Sequence, residues 1–346
     1  MNASHHRPGA LGSALGPVLG LTTLLTVVLV AFAWPASQLA PRDLPVGLVG
    51  PAPAAAALEE RSDGALDVTP LPSREAAVRA IEDREVYGAL VPGPRGTETL
   101  VASAASPVVA QQLGTLASEM ASETAGGAGA ATPSTTDVVP LPADDPRGAV
   151  LAAGSLPLVL GGMATAALLG LNLSGRRERL VGAVGVAAGA GLALTAVLQY
   201  WFGALSGDYL ANAGVVALGV SAIALALLGL DQVLGRAGLV LGAATVLLLG
   251  NPLSGVTAAP ELLPAGWSTV GQLLPPGATG TALRSVAFFD GAGAPVPLLV
   301  LTGWAVLGAA LLLVPARRAA ERSAGRAEDR RTPGSAGLDE PASQPV

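Results

Sequence analysis

The stretch GLVLGAATVLLLG at residues 238–250, followed at once by NPLSGVTAAPELLPAGW at residues 251–267, decides how this chain is read. The first part is an apolar run without a charged residue. The second breaks it with Pro252, Pro260 and Pro264, each of which lacks the backbone N–H that a helix needs and crowds the preceding turn. An ordinary loop after a soluble helix would be polar, yet this one keeps Leu, Val and Ala between its breakers. A segment that is interrupted but still apolar points to surroundings other than plain water.

Working outward, similar apolar stretches fall at residues 15–34, 150–171, 180–201, 209–230 and 296–314, with 234–250 a shorter one that carries Arg236 near its start. A helix needs about 20 mostly apolar residues to cross the hydrocarbon core of a bilayer. Composition agrees: 51% of the chain is hydrophobic and 13% charged, where soluble domains carry about a quarter charged residues. The expected fold class is an α-helical polytopic membrane protein with six transmembrane helices and a small extracytoplasmic α/β domain between spans one and two. The first run is longer than the roughly 7–15 residues of a signal-peptide core, so it reads as a retained span, although PASQLAPRD after it could pass for a cleavage region.

Arginine sets the orientation. Arg176, Arg177 and Arg179 join spans two and three, Arg236 lies between four and five, and a basic run follows span six. Basic residues in short loops mark the cytoplasmic side. Residues 1–14 and 316–346 are therefore expected as cytoplasmic tails, the second ending in a Pro/Gly/Ser-rich stretch expected to be disordered. Its arginines would lie within reach of anionic lipid headgroups. Residues 35–148 are expected outside the membrane on the opposite face, and 149–315 as a five-helix membrane domain.

Within 35–148, LPVGLVG, ALDVTPL, EVYGALVPG and TETLVASAA have the short apolar or alternating pattern of strands. SREAAVRAIEDRE reads as a helix capped by Ser73, and SPVVAQQLGTLASEMASE as one with proline in its first turn. Strands alternating with helices imply an α/β domain with some parallel pairing. TAGGAGAATPSTTD, small and polar throughout, reads as a linker.

Several chemistries are excluded by residue type. The chain has no Cys, its only histidines are His5 and His6, and all 19 basic residues are Arg. Without Lys there is no Walker A loop and no Schiff-base nucleophile. Without Cys, and with His confined to the N-terminal tail, there is no thiol catalysis and no histidine triad or zinc triplet. No enzymatic activity, cofactor, metal or nucleic-acid partner is expected. The spans are nearly free of charge, which also argues against an ion-coupled transporter or a channel.

Taken together, LPVGLVG, SREAAVRAIEDREVYGALVPG, DDPRGAVLAAGSLPLVLGGM and NPLSGVTAAPELLPAGWSTVGQLLPPGATGTALRS resemble the permease subunits of ABC-2-type exporters, and among them the YhgE/Pip (phage-infection protein) branch. The resemblance spans about residues 15 to 315. It implies a membrane half that pairs with itself or a related permease, is surrounded by lipid and is driven by a separate ATPase subunit. It further implies that residues 251–294 dip back into the membrane as short helices forming an external gate, with Asn251, Pro252, Ser254, Gly255, Pro260, Glu261, Pro264, Trp267, Gln272, Pro275 and Pro276 as the candidate residues. An ordinary folded external loop is the alternative. Arg176, Arg177, Arg179, Asp231 and Arg236 are the candidate ATPase contacts, although topology alone would explain the arginines, and Asp231 could instead pair with Arg236. The Pip branch supports a second function, that of an envelope scaffold or surface receptor that transports nothing. The small-residue pairs Gly185/Gly189 and Gly238/Gly242 are expected to pack helices within the chain, with a dimer seam as the alternative.

Overall fold

The computed structural model describes residues 10–94, 96–124 and 134–315. The terminal tails lie outside those residues, apart from the first turns of the opening helix.

The chain opens with α1 (Ala10–Ser37), long and uniformly apolar. A mixed sheet follows. Strand β1 (Leu44–Val49) leads through α2 (Ala52–Arg61) to β2 (Leu66–Leu71), and α3 (Arg74–Glu82) leads on to β3 (Gly88–Gly93). A hairpin gives β4 (Gly96–Val101), then α4 (Pro107–Thr124) and β5 (Ser134–Asp137). The strand order is β2-β1-β3-β4-β5. β1 pairs parallel with β2 and β3, β3 pairs antiparallel with β4, and β4 pairs parallel with β5. The helical crossovers explain the parallel pairs, because strands side by side in the same direction need a long return connection. Ser73 accepts from the Ala76 amide and so starts α3 as expected.

Three expectations for this domain are corrected. The last residues of the expected linker are β5, whose Ser and Thr residues extend the sheet beside β4; residues 125–133 of that stretch lie outside the described ones. The third strand begins at Gly88, three residues beyond the expected Glu85. Helix α2 was not anticipated, because its alanine-rich sequence has only a weak apolar stripe.

The rest is a helical bundle: α5 (Ala149–Asn172), α6 (Arg176–Ala196) extended by a π turn (Val197–Trp201), α7 (Tyr209–Leu234), α8 (Arg236–Thr245) extended by a second π turn (Val246–Gly250), α9 (Trp267–Leu273), α10 (Pro275–Phe288) and α11 (Pro295–Leu313). Among the described residues, α1, α5, α6 with its π turn, α7 and α11 are the helices long and apolar enough to cross a membrane. The chain is thus a polytopic helical membrane protein. The expected fifth span is the exception: Arg236–Gly250 is apolar but shorter, about 22 Å at 1.5 Å per residue against a core of about 30 Å. Leu234, expected to begin it, belongs to α7.

α7 is the central post and mostly buried, whereas α1 is almost wholly exposed and lies at the periphery. α7 and α11 come close together at Gly229 and Gly308, since a missing side chain lets backbones approach. Gly238 and Gly242 pack on α7 as expected. Gly185 and Gly189 do not: a methyl group on either would meet nothing within 4 Å, so this pair packs no helix among the described residues.

Candidate functional site

The bundle has two chemically distinct ends. At one, Arg179 pairs with Asp231 at 3.4 Å and donates to the carbonyls of Leu173 (2.7 Å) and Gly170 (3.0 Å). Arg176 donates to the Leu313 carbonyl at 2.9 Å, and Gln232 to that of Val314 at 3.2 Å. The α5–α6 turn, the end of α7 and the end of α11 are thereby tied into one arginine-bearing end. Asp231 does not take Arg236 as its partner. α7 continues past Asp231 to Leu234, and that helical path carries its carboxylate to the α5–α6 turn. Arg177 and Arg236 are exposed, and their side chains carry no hydrogen bond or ion pair among the described residues.

The other end carries the α/β domain, and here the broken segment is built in. After the π turn, Asn251 and Pro252 begin a tight turn in which the Ser254 hydroxyl donates to the Asn251 carbonyl at 2.7 Å. Gly255 turns the chain at φ +68, a left-handed conformation open mainly to glycine, with the Pro260 nitrogen 2.8 Å from where a Cβ would sit. Pro260–Leu262 form a 3₁₀ turn. Pro264 accepts from the Trp267 amide at 3.0 Å to begin α9. Gln272 joins the pieces: its amide nitrogen donates to the Ser254 carbonyl at 2.9 Å, and its oxygen accepts from Thr281 at 2.7 Å. Pro275 and Pro276 sit at the first turn of α10, where a missing N–H costs nothing.

The segment faces three ways. α10 packs on the bundle: its Ala278, Ala282 and Leu283 share a core with Leu151 of α5, Val216 of α7 and Leu301 of α11. Trp267 stands edge-on to Trp34 of α1, centroids 5.9 Å apart. Ala258, Ala259 and Leu262 are buried in the core of the α/β domain with Leu44, Val46 and Leu113. Phe289, just after α10, is buried in the second core on the other face of the sheet with Ala80 and Ile81.

A polar clasp reinforces these contacts. Tyr87 donates to the Glu261 carboxylate at 2.6 Å. Arg42 donates to the carbonyls of Leu262 (3.1 Å) and Leu263 (3.0 Å), and the amides of Ala40 and Arg42 donate to the carbonyls of Leu262 and Glu261. Arg84 is held at φ 60, a strained angle for a residue with a side chain. From there it donates to the Ser285 hydroxyl at 2.6 Å and lies 5.1 Å over the Phe289 ring. Burial, and secondarily the Glu261 charge, push the Tyr87 phenol above its ordinary range, while burial pulls the Arg84 guanidinium below its own. Buried Arg284 donates to the Val256 carbonyl at 3.1 Å.

Sequence reading singled out Glu261 but missed the residues that hold it. The available signal was a tyrosine, Tyr87, immediately before a buried strand. Where Asn251, Ser254, Val256, Pro276 and Thr279 face α5 and α7, a cavity of about 20 Å³ remains, room for roughly one water molecule. The broken segment is thus packed closely against α5 and α7 here. Among the described residues no three His, Asp or Glu side chains converge as metal ligands would.

A comparison of the chain with protein-family models, with curated proteins and with solved structures found no match. Fold and site define its class, a multi-pass helical membrane protein whose broken segment is clasped by an α/β domain.

Proposed function

We propose that this chain is the membrane-spanning permease subunit of an ABC-2-type exporter, which moves a hydrophobic or amphipathic substrate outward with energy from a separate ATPase subunit. One observation carries the reading: the interrupted segment is built into the domain end of the bundle, with α10 packed among α5, α7 and α11 and its preceding turn gripped by the α/β domain. Irregular backbone at membrane depth survives only where protein satisfies its polar groups, and interrupted apolar segments commonly mark a substrate path. The Gln272, Ser254 and Thr281 bonds are of that kind.

On this reading Arg236–Gly250 is the fifth of six crossings, completed by the segment after it, and α9 and α10 are the re-entrant external gate. The arginine-bearing end is cytoplasmic, and the α/β domain lies outside. Arg177 and Arg236, exposed and unpaired among the described residues, face the ATPase, while Arg179 and Asp231 shape the turn that presents them. Two permease subunits, identical or related, form the pathway. Spans nearly free of charge suit an apolar cargo.

The test is an affinity pull-down of the tagged chain from its native membrane in mild detergent, read by mass spectrometry. An ATPase subunit should be enriched, and substrate-stimulated ATP hydrolysis should follow. Absence of an ATPase under conditions that preserve known complexes overturns the proposal in favour of an envelope scaffold.

A further inference from the structure

α5 and α6 are joined by a three-residue turn at the arginine end and touch along their length, a methyl on Gly182 lying 3.2 Å from Leu169 and one on Gly154 3.3 Å from Leu198. Beside the second contact, between the first half of α5 and the π-turn end of α6, lies a crevice of about 470 Å³. That volume is in the range of ligand sites, about 300–1,000 Å³. Its room comes from small residues on one face of α5, Ala149, Ala153 and Gly154, opposite Leu194 and Leu198. No side chain lining it carries a hydrogen-bonding atom. Water, ions, sugars and headgroups gain nothing in such a space, whereas hydrocarbon does.

The rim indicates which hydrocarbon. Ala153, Pro157 and Val197 are exposed at the crevice edge and continue into the apolar outer faces of two helices long enough to span a bilayer. At its mouth Trp201 and Phe202 stack at 6.3 Å and are 80% and 46% exposed, and Tyr200 and Tyr209 are paired beside them. Such an aromatic cluster belongs at headgroup level. Two residues before the crevice begins, Arg147 is exposed and carries no hydrogen bond or ion pair among the described residues. Of the acids beside it, Asp145 is engaged by the amides of Ala149, Val150 and Leu151, and Asp144 lies against Gly203.

We infer that this crevice holds one acyl chain of a membrane phospholipid, with its phosphate at Arg147. The inference rests on the membrane-spanning helices and stands whether or not the chain transports anything.

The full chain would be reconstituted in vesicles of phosphatidylethanolamine and phosphatidylglycerol doped with a phospholipid bearing a diazirine on one acyl chain. After irradiation, labelled residues are located by mass spectrometry. Ala153, Pro157 and Leu194 should be labelled severalfold more than Leu168 and Leu171, which are exposed on α5 outside the crevice. Ala153→Phe should abolish the excess, while Leu160→Phe, exposed on the same helix beyond the crevice, should preserve it. Should Ala153→Phe fail to fold, Val197→Trp narrows the crevice from the other wall and should act likewise. Equal labelling of crevice and outer residues, or an excess that survives a folded crevice-filling variant, overturns the site. Arg147→Ala should reduce the phospholipid retained through detergent purification; unchanged retention overturns the placement of the phosphate.

Discussion

Tyr87→Phe isolates the clasp, because it removes a single hydroxyl and leaves the ring in place. In the native protein that hydroxyl donates to Glu261 at 2.6 Å in a partly buried position. A hydrogen bond to a charged group contributes about 1.5–3 kcal/mol, and partial exposure places this one near 2 kcal/mol. The amides of Ala40 and Arg42 report on the same region, since both donate to carbonyls of residues 261 and 262 and exchange only when the linker after α1 parts from the segment. With a tenfold change per about 1.4 kcal/mol, their exchange should accelerate about thirty-fold. Hydrogen exchange read by mass spectrometry on the detergent-solubilised protein measures this. The Val138 amide, bonded within the sheet to Val101, should be unaffected. Glu261→Gln should act in the same direction, and the double variant should fall well short of the sum. Less than about a threefold acceleration, or an equal one at Val138, would refute the assignment of the clasp to this pair.

Three further outcomes follow from the same geometry. Because the Tyr87 phenol is pushed above its ordinary range in the folded protein, its contribution is fully present below the unfolded value of about 10 and is lost as pH rises beyond it; Ala40 and Arg42 exchange, corrected for intrinsic rate, should rise above that pH in the native protein but not in Tyr87→Phe. Gly255→Ala should loosen the segment by at least about 1–2 kcal/mol through its left-handed angle alone, with contact to the Pro260 nitrogen adding to this, so the same amides should exchange faster. Asp231→Asn leaves the Arg179 charge without its carboxylate. At 3.4 Å and with slight exposure, the loss should be about 2 kcal/mol, below the 3–5 kcal/mol of a fully buried pair, and measurable as a lower Tm in detergent.

What the sequence revealed and what it hid follow from the range of the interactions. Strands β1 and β2 and helix α3 were legible because alternation and a Ser cap are local signals. The long apolar helices were legible because run length is local too. Strand β5 was hidden in a stretch of small polar residues, since an edge strand needs few apolar side chains. The clasp was invisible: Tyr87 and Glu261 are 174 positions apart, and Arg42 and Leu262 are 220. No periodicity encodes a contact at that distance. Arg236 was the nearer partner for Asp231 along the chain, yet the helical path favoured Arg179. The breaks at Pro252, Pro260 and Pro264 were read correctly as breaks, but nothing local announced that the residues between them complete the core of the α/β domain.

The central claim, that the α/β domain and the arginine-bearing turns lie on opposite faces of a membrane, can be tested directly because the chain has no cysteine of its own. Single cysteines at Glu60, Asp290, Arg177 and Arg236, all exposed, would be treated on intact cells with a membrane-impermeant maleimide. The account predicts labelling of Glu60→Cys and Asp290→Cys from outside, and of Arg177→Cys and Arg236→Cys only after lysis. Labelling of Glu60→Cys and Arg177→Cys from the same side, or of Asp290→Cys only together with the arginine positions, would contradict it.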